Sequence, residues 1–422
     1  MTRYNIQKVL FSNGERFPML VESKTNIPHY WITIYSMTQL RSRGLAVNTI
    51  EQTLRHLMLL MFFLKNNYNE EVNLDSRLAV GKILELHEIE TLCDICKLHY
   101  KDIFKENNLG LSESNLNLRS LEKFRAANSS DTILTTDSKT TSHRIRAIRD
   151  YIIWLSKNFL SRNPDLGLNT LSLNDAIKLV ESAFTSRIPK TTGISPINAK
   201  KGLSTNELNI LFSLVDSNSV TNPWISNFTK IRNELIILWL YEFGLRRGEL
   251  LNLKISDIDF QSETFLVLRR PDDENDPRSN QPLVKTKERK LAIPTNTLNL
   301  TREYIIGVRG LLPEAQYHEY LFVADKSGAP MSLSALNKMF IKLKDSNDNL
   351  PNNFSPHTLR HSWNDNFSAI MDKKNIPEDK EKKIRSYAMG WSDTSNAASS
   401  YTRRHREEEA NKVILEMAGK TN

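Results

Sequence analysis

Gly244-Leu245-Arg246-Arg247-Gly248-Glu249-Leu250-Leu251 is the stretch on which the fold turns. It follows Phe228 to Phe243, whose centre, Leu235-Ile236-Ile237-Leu238-Trp239-Leu240, is apolar all round, as in a helix buried within a core. Gly244 is a plausible stop just past that helix, because glycine readily takes the left-handed conformation that closes helices. A second helix is expected to begin after this break, with Arg246 and Glu249, three residues apart, on one side of it. Such a pair is ordinarily a surface ion pair of little weight, so its meaning depends on what surrounds it.

Upstream, Ser204 and Glu207 fit a capping box that opens this unit. Downstream, Thr264 to Arg269 and Arg289 to Ile293 read as strands, with Tyr320 to Ala324 as a third. In Val284-Lys-Thr-Lys-Glu-Arg-Lys-Leu-Ala-Ile-Pro294, Lys285 and Lys287 stand ahead of the second strand. His357-Thr-Leu-Arg-His-Ser-Trp363 follows Pro356, a good first helical residue, and its spacing puts His357 and Arg360 on one face. Met389-Gly-Trp-Ser-Asp-Thr-Ser-Asn-Ala-Ala-Ser-Ser-Tyr401 ends on a tyrosine among small polar residues. The expected architecture is α+β, a small antiparallel sheet beside a helical body.

Taken in this order, the Arg, Lys, His-x-x-Arg, Gly-Trp and Tyr pieces resemble the catalytic domain of the tyrosine recombinase (phage integrase) family, over roughly Leu203 to Arg406. The resemblance implies a site-specific DNA recombinase, the integrase of a mobile element, that cleaves and rejoins strands through a 3′-phosphotyrosine. By that resemblance Tyr401 is the nucleophile, and Arg246 and Arg360 hold the phosphate with planar, permanently charged forks. His357 hydrogen-bonds the same phosphate and manages the phenol proton, and Lys285 protonates the departing 5′ oxygen, with Lys287 as the alternative. Trp391 stands where many members have His; its indole N–H donates but cannot exchange protons. Glu249 orients the first arginine helix. Tyr387 is the rival nucleophile, on the wrong side of Gly390-Trp391. His361, taken to lie on a different helix face from His357, and His405, in a charged tail, receive no role. With no Walker loop and no carboxylate cluster for two-metal chemistry in the sequence, the expected cofactors and metals are none.

The first ~185 residues read as mostly helical. Thr49 and Gln52 suit a capping box, and Ile50, Leu54, Leu57, Met58, Met61 and Leu64 recur at helical steps to Lys65. A second helix is expected from about Ser142 to Leu160, with Ile145, Ile148, Ile152 and Leu155 as its stripe. His143, Arg144, Arg146 and Arg149 crowd its first turns, where cations oppose the macrodipole. They read either as a seat for an external anion or as a solvated face. Arg187 to Gly202, rich in Pro and Gly, is the expected linker. The fold class is thus multidomain: an all-α N-terminal core-binding region over 1–186, a linker over 187–202, and an α+β catalytic domain of the tyrosine recombinase type over 203–422. In the family the helical domain closes over DNA opposite the catalytic one. Cys93 and Cys96 form a C-x-x-C that lacks a second ligand pair, so two small buried hydrophobes are favoured over zinc or redox chemistry.

Fifty-seven Lys plus Arg against 49 Asp plus Glu give the chain a net charge of +8, which favours a polyanionic partner. Leu57 to Leu64, the longest apolar run, is far short of the ~20 residues of a membrane helix, and no secretory signal is read, so no membrane partner is expected and the expected location is the cytoplasm. The resemblance adds a bacterial, nucleoid-associated setting, double-stranded DNA with specific recombination sites, a homotetramer on DNA and accessory DNA-bending or directionality factors. Val413, Ile414 and Met417 form a short apolar face, read as a terminal helix given to a neighbouring protomer or as one folded back on its own domain. Competing readings are a type IB topoisomerase-like enzyme and a catalytically silent DNA-binding regulator.

Overall fold

The computed structural model describes residues 4–67, 74–79, 82–100, 103, 135–162, 170–190, 201–392, 395, 397–398, 401, 410–411 and 413–417. His405, residues 402–409, residues 191–200 of the expected linker and residues 128–134 lie outside the described residues. The chain divides into two compact units, residues 1–11 with 16–193 and residues 12–15 with 194–422.

The first unit opens with an antiparallel hairpin, β1 (Tyr4–Leu10) and β2 (Arg16–Glu22), in the register Tyr4 to Glu22 through Leu10 to Arg16. The all-α description is thus corrected by this hairpin, and among the described residues of the unit after Tyr30 the regular elements are helical. Helices α1 (Tyr30–Tyr35), α2 (Val47–Asn67), α3 (Leu74–Ala79), α4 (Leu86–Ile95), α5 (Ser138–Arg162) and α6 (Thr170–Ser186) follow. Ile50, Leu54, Leu57 and Leu60 of α2 meet Ile145, Ile148, Ile152 and Leu155 of α5 in one core, every one of them fully buried. Cys93 and Cys96 sit in that core. Burial pushes both thiols up, Cys93 to about 11, opposite to the lowered values of thiolate chemistry.

The basic cluster of α5 is corrected by the structure. The helix starts at Ser138, a turn earlier than expected, and Asp137 accepts the Thr140 N–H at 2.8 Å, so an internal carboxylate already serves its N-terminus. Arg144 is buried, donating to the Cys96 and Leu98 carbonyls at 2.9 and 2.6 Å with its guanidinium over the Tyr100 ring. Arg149 pairs with Asp150 and Thr185, leaving His143 and Arg146 as the exposed members.

In the second unit α7 (Thr205–Val215) carries the expected Ser204–Glu207 capping box. Helix α8 (Asn227–Phe243) buries Leu235, Ile236, Ile237, Trp239 and Leu240 and ends on left-handed Gly244. After α9 (Arg247–Asn252) comes a three-stranded antiparallel sheet in the order β3 (Ile258–Asp259), β4 (Thr264–Val267), β5 (Arg289–Ala292). Phe265 of β4, fully buried, meets Trp239 and Phe243 edge-on with centroids 4.9 and 4.8 Å away, which seats the sheet on α8. Tyr320 to Ala324 is not the third strand. Its backbone makes only isolated bridges, while Arg309 binds the Tyr320 carbonyl and Arg232 the Val323 carbonyl, so side chains take the acceptors a ladder would use. Helices α10 (Thr295–Glu303), α11 (Leu333–Ser346), α12 (Pro356–Lys373) and α13 (Glu378–Met389) complete the described body. The unit is mainly helical with a small antiparallel sheet.

Candidate active site

The site is built around a buried carboxylate. Arg246 is the N-cap of α9, and its backbone N–H donates to Glu249 Oε2 at 3.1 Å while its guanidinium lies 3.3 Å from Oε1. The spacing seen in the sequence thus closes a capping arrangement that fixes the arginine where the helix begins. Glu249, 1% exposed, gathers further partners from distant segments: the Thr286 hydroxyl at 2.7 Å, Arg289 at 2.8 Å and Arg360 at 4.0 Å. Burial alone would push its carboxyl up, yet the Arg289 and Arg360 guanidiniums outweigh that and hold it below the usual carboxylate range.

Arg360 comes from α12, whose first turn is set by Pro356 after the Ser355 cap. It is almost fully buried, donating to the Gly244 carbonyl and, at 3.4 Å, to that of Met389. A guanidinium has five N–H donors, more than those two carbonyls use. Burial first, and then the charge of Arg246, lower its affinity for the proton, as two like charges gathered in one site must do. Gly244 permits the approach: its φ is +56° and a Cβ there would stand 2.9 Å from Met389 Cε.

Helix α13 ends on left-handed Gly390, which turns the chain so that Trp391 folds inward. The Trp391 and Tyr401 rings stack at 5.7 Å and 11°, and the Arg360 guanidinium lies 5.5 Å from the indole centroid. The contact that Trp391 makes with the tyrosine is thus through its ring face. Burial pushes the Tyr401 phenol above its ordinary value, against the opposing pull of Arg360, Arg246 and Arg385. The phenol is accordingly protonated at neutral pH and must lose its proton to act as a nucleophile.

Lys285 and Lys287 are both exposed, while Val284 and Thr286 point inward. Their loop is tied to the site by the Thr286 bond to Glu249 and by the Lys287 N–H donating to the Gly390 carbonyl at 2.8 Å. His357 is exposed on the first turn of α12. Its ring stands 6.0 Å from that of His361, which in turn stands 5.5 Å from Tyr401. The expectation that His361 occupies a different face is corrected: four residues at 3.6 per turn return to nearly the same side, and its ring lies between His357 and the tyrosine. Tyr387 is 60% exposed with its hydroxyl donating to the Lys290 carbonyl, on the outer side of α13.

Direct contacts bring Arg246, Glu249, Arg360, Trp391 and Tyr401 together, whereas Lys285 adjoins them only through the neighbouring Thr286 and His357 only through His361. Two buried arginines were missed. Arg289 joins Glu249, Thr286 and the Ala388 carbonyl. Arg385, fully buried among Glu381, Ser368 and Asn364, has its guanidinium 5.9 Å from the Tyr401 ring centroid. Each lies in a charged run, Lys287 to Lys290 and Glu378 to Arg385, that reads as a solvated surface.

Residues 203–408 form a domain that matches the phage integrase family. The tyrosine recombinase XerD of Halalkalibacterium halodurans is 29% identical over 179 residues, covering 42% of this chain and 48% of its own. The tyrosine recombinase XerA of Thermococcus onnurineus is 28% identical over 215 residues, covering 49% of this chain and 64% of its own. The matched part therefore spans between about half and under two thirds of these relatives. A structure of the Tn1549 transposon integrase with circular intermediate DNA aligns over 90% of this chain and 98% of its own, at 17% identity and a TM-score of 0.48.

Proposed function

We propose that this protein is a site-specific DNA recombinase, the integrase of a mobile element, acting through a 3′-phosphotyrosine. The observation that carries the reading is the Tyr401 ring stacked on Trp391 beside Arg360 and its partner Glu249, with Arg246 on the same carboxylate. A nucleophile set beside two guanidiniums suits a phosphodiester, whose non-bridging oxygens gain charge as the phosphorane-like state forms. The Tyr401 phenol oxygen forms the new bond to phosphorus and the bond to the 5′ oxygen breaks. His357 accepts the phenol proton, and Lys285 gives a proton to the departing oxygen. Reversal by an incoming 5′ hydroxyl reseals the strand, since the phosphotyrosine stores the bond energy.

Double-stranded DNA carrying recombination sites is the proposed substrate, four protomers the proposed assembly, and accessory bending or directionality factors the proposed partners. Residues 1–186 are the proposed core-binding region, 187–202 the proposed linker and 203–422 the proposed catalytic domain. Net charge +8 supports a polyanionic substrate. Among the described residues no helix is long and apolar enough to cross a membrane; a nucleoid-associated location belongs to this proposal.

The test is a covalent adduct. Incubated with a nicked duplex bearing its site, in EDTA, the wild type should become attached to the 3′ end and survive SDS, whereas Tyr401→Phe should bind without attaching. An adduct with the Phe variant would move the nucleophile elsewhere, Tyr387 being the next to test.

A further inference from the structure

We infer that Arg289 is a positioning residue which sets the Lys285 ammonium over the site, and that it acts through the hairpin that carries that lysine. The inference rests on the proposed role of Lys285 as general acid. Arg289 opens β5 and is 5% exposed, yet each of its three guanidinium nitrogens meets a different acceptor. Nε donates to the Ala388 carbonyl at 2.8 Å, Nη1 contacts the Thr286 hydroxyl at 3.2 Å, and Nη2 donates to Glu249 Oε2 at 2.8 Å. One planar fork thereby joins the last turn of α13, the residue next to Lys285, and the carboxylate that holds Arg246.

A second tie runs parallel to it. The Lys287 N–H donates to the Gly390 carbonyl, and a Cβ on Gly390 would stand 2.7 Å from the Lys287 carbonyl and 2.8 Å from Arg289 Nη1. Lys285 itself is exposed and makes no hydrogen bond or ion pair among the described residues, so its place depends on the loop beneath it. Glu249 without Arg289 keeps Arg246, Arg360 and Thr286. The loss therefore falls first on the hairpin and only secondarily on the phosphate-binding arginines.

Lysine at this position keeps the charge but cannot satisfy three acceptors in one plane, and methionine removes the charge at similar volume. With Arg289→Lys in the full chain, melting should fall modestly, since buried acceptors lose a donor, while the protein stays folded and binds a single site near wild-type affinity. Cleavage of an ordinary nicked substrate should fall about 10²-fold, the scale of a small misplacement of a reacting group. On a substrate with a 5′-bridging phosphorothiolate, the sulfur departs as thiolate and needs no proton, so cleavage by Arg289→Lys should return to within a few-fold of wild type. Combined with Lys285→Ala, Arg289→Lys should add no further loss. Arg289→Met should behave alike if it folds; if it does not, the Lys variant decides.

Wild-type cleavage by Arg289→Lys would overturn the inference. So would multiplied losses in the double variant, or a defect that the phosphorothiolate leaves in place while it rescues Lys285→Ala. If Lys285→Ala is itself not rescued, the general-acid reading fails and the inference falls with it.

Discussion

At the residue scale the two arginines and the glutamate have separable duties. Removing one preorganised donor to transition-state charge costs about 10² to 10³ in rate. Arg246→Ala and Arg360→Ala should each slow cleavage by that much in single-turnover assays. Site affinity should change little, because many other phosphate contacts remain. Glu249 is different, since its side chain is buried and its partners are the protein's own guanidiniums, the Thr286 hydroxyl and the Arg246 N–H. Glu249→Gln leaves Arg289 and Arg360 buried without a counter-charge and should cost about 3–5 kcal/mol in urea unfolding near neutral pH. The sign of its pH dependence follows from its lowered carboxyl. Stability from this group is complete above the unfolded value of about 4.3 and is lost as pH falls through the lower folded one. The gap between wild type and Glu249→Gln should therefore narrow in acid below about pH 4; a gap that does not move with pH would mean the carboxyl is not held ionised.

At the scale of elements, what the sequence discloses is what neighbours in sequence decide. The apolar centre of α8, the Gly244 stop, the Ser204–Glu207 cap and the α12 start at Pro356 are local, and each forms as its residues dictate. Tyr320–Ala324 is an unbroken run of aromatic, branched and small apolar residues that reads as a buried strand, yet carbonyls of it go to Arg309 and Arg232, remote partners that no local pattern displays. Arg289 and Arg385 were hidden for the same reason: a buried arginine in a charged run looks like its solvated neighbours until the acceptors arrive. Gly390 tests how tightly elements meet. Both Gly44 and Gly390 have positive φ, +71° and +63°, but a Cβ on Gly44 meets nothing within 4 Å. Gly44→Ala should cost only the left-handed penalty of about 1–2 kcal/mol and leave cleavage intact. Gly390→Ala should cost more in thermal unfolding and also slow cleavage, because it pushes Lys287 and Arg289 away from Trp391. Equal effects at the two sites would show that the hairpin yields freely.

At the scale of the whole molecule the open choice is between an enzyme that works in a ring and one that works alone. The strand chemistry of a recombinase and of a type IB topoisomerase is shared, so no substitution at Tyr401, Arg246 or Lys285 separates them. The C-terminal segment can. Val413, Ile414, Leu415 and Met417 lie in a helical stretch and are 50%, 60%, 55% and 82% exposed, an apolar group that water contacts in the single chain. Left uncovered, such a group costs hydrophobic free energy that a neighbouring protomer could recover, and head-to-tail exchange of that kind closes a ring. A chain ending at Thr402 should therefore keep Tyr401, bind a single site and form the covalent adduct. It should fail to bring two sites together in a gel-shift synapsis assay, and it should yield no strand-exchanged product. Replacing Val413, Ile414, Leu415 and Met417 together by serine should do the same without shortening the chain. If the intact protein relaxes supercoiled plasmid lacking any specific site, and the shortened chain does so equally well, the ring is not needed and the recombinase reading gives way to the topoisomerase one.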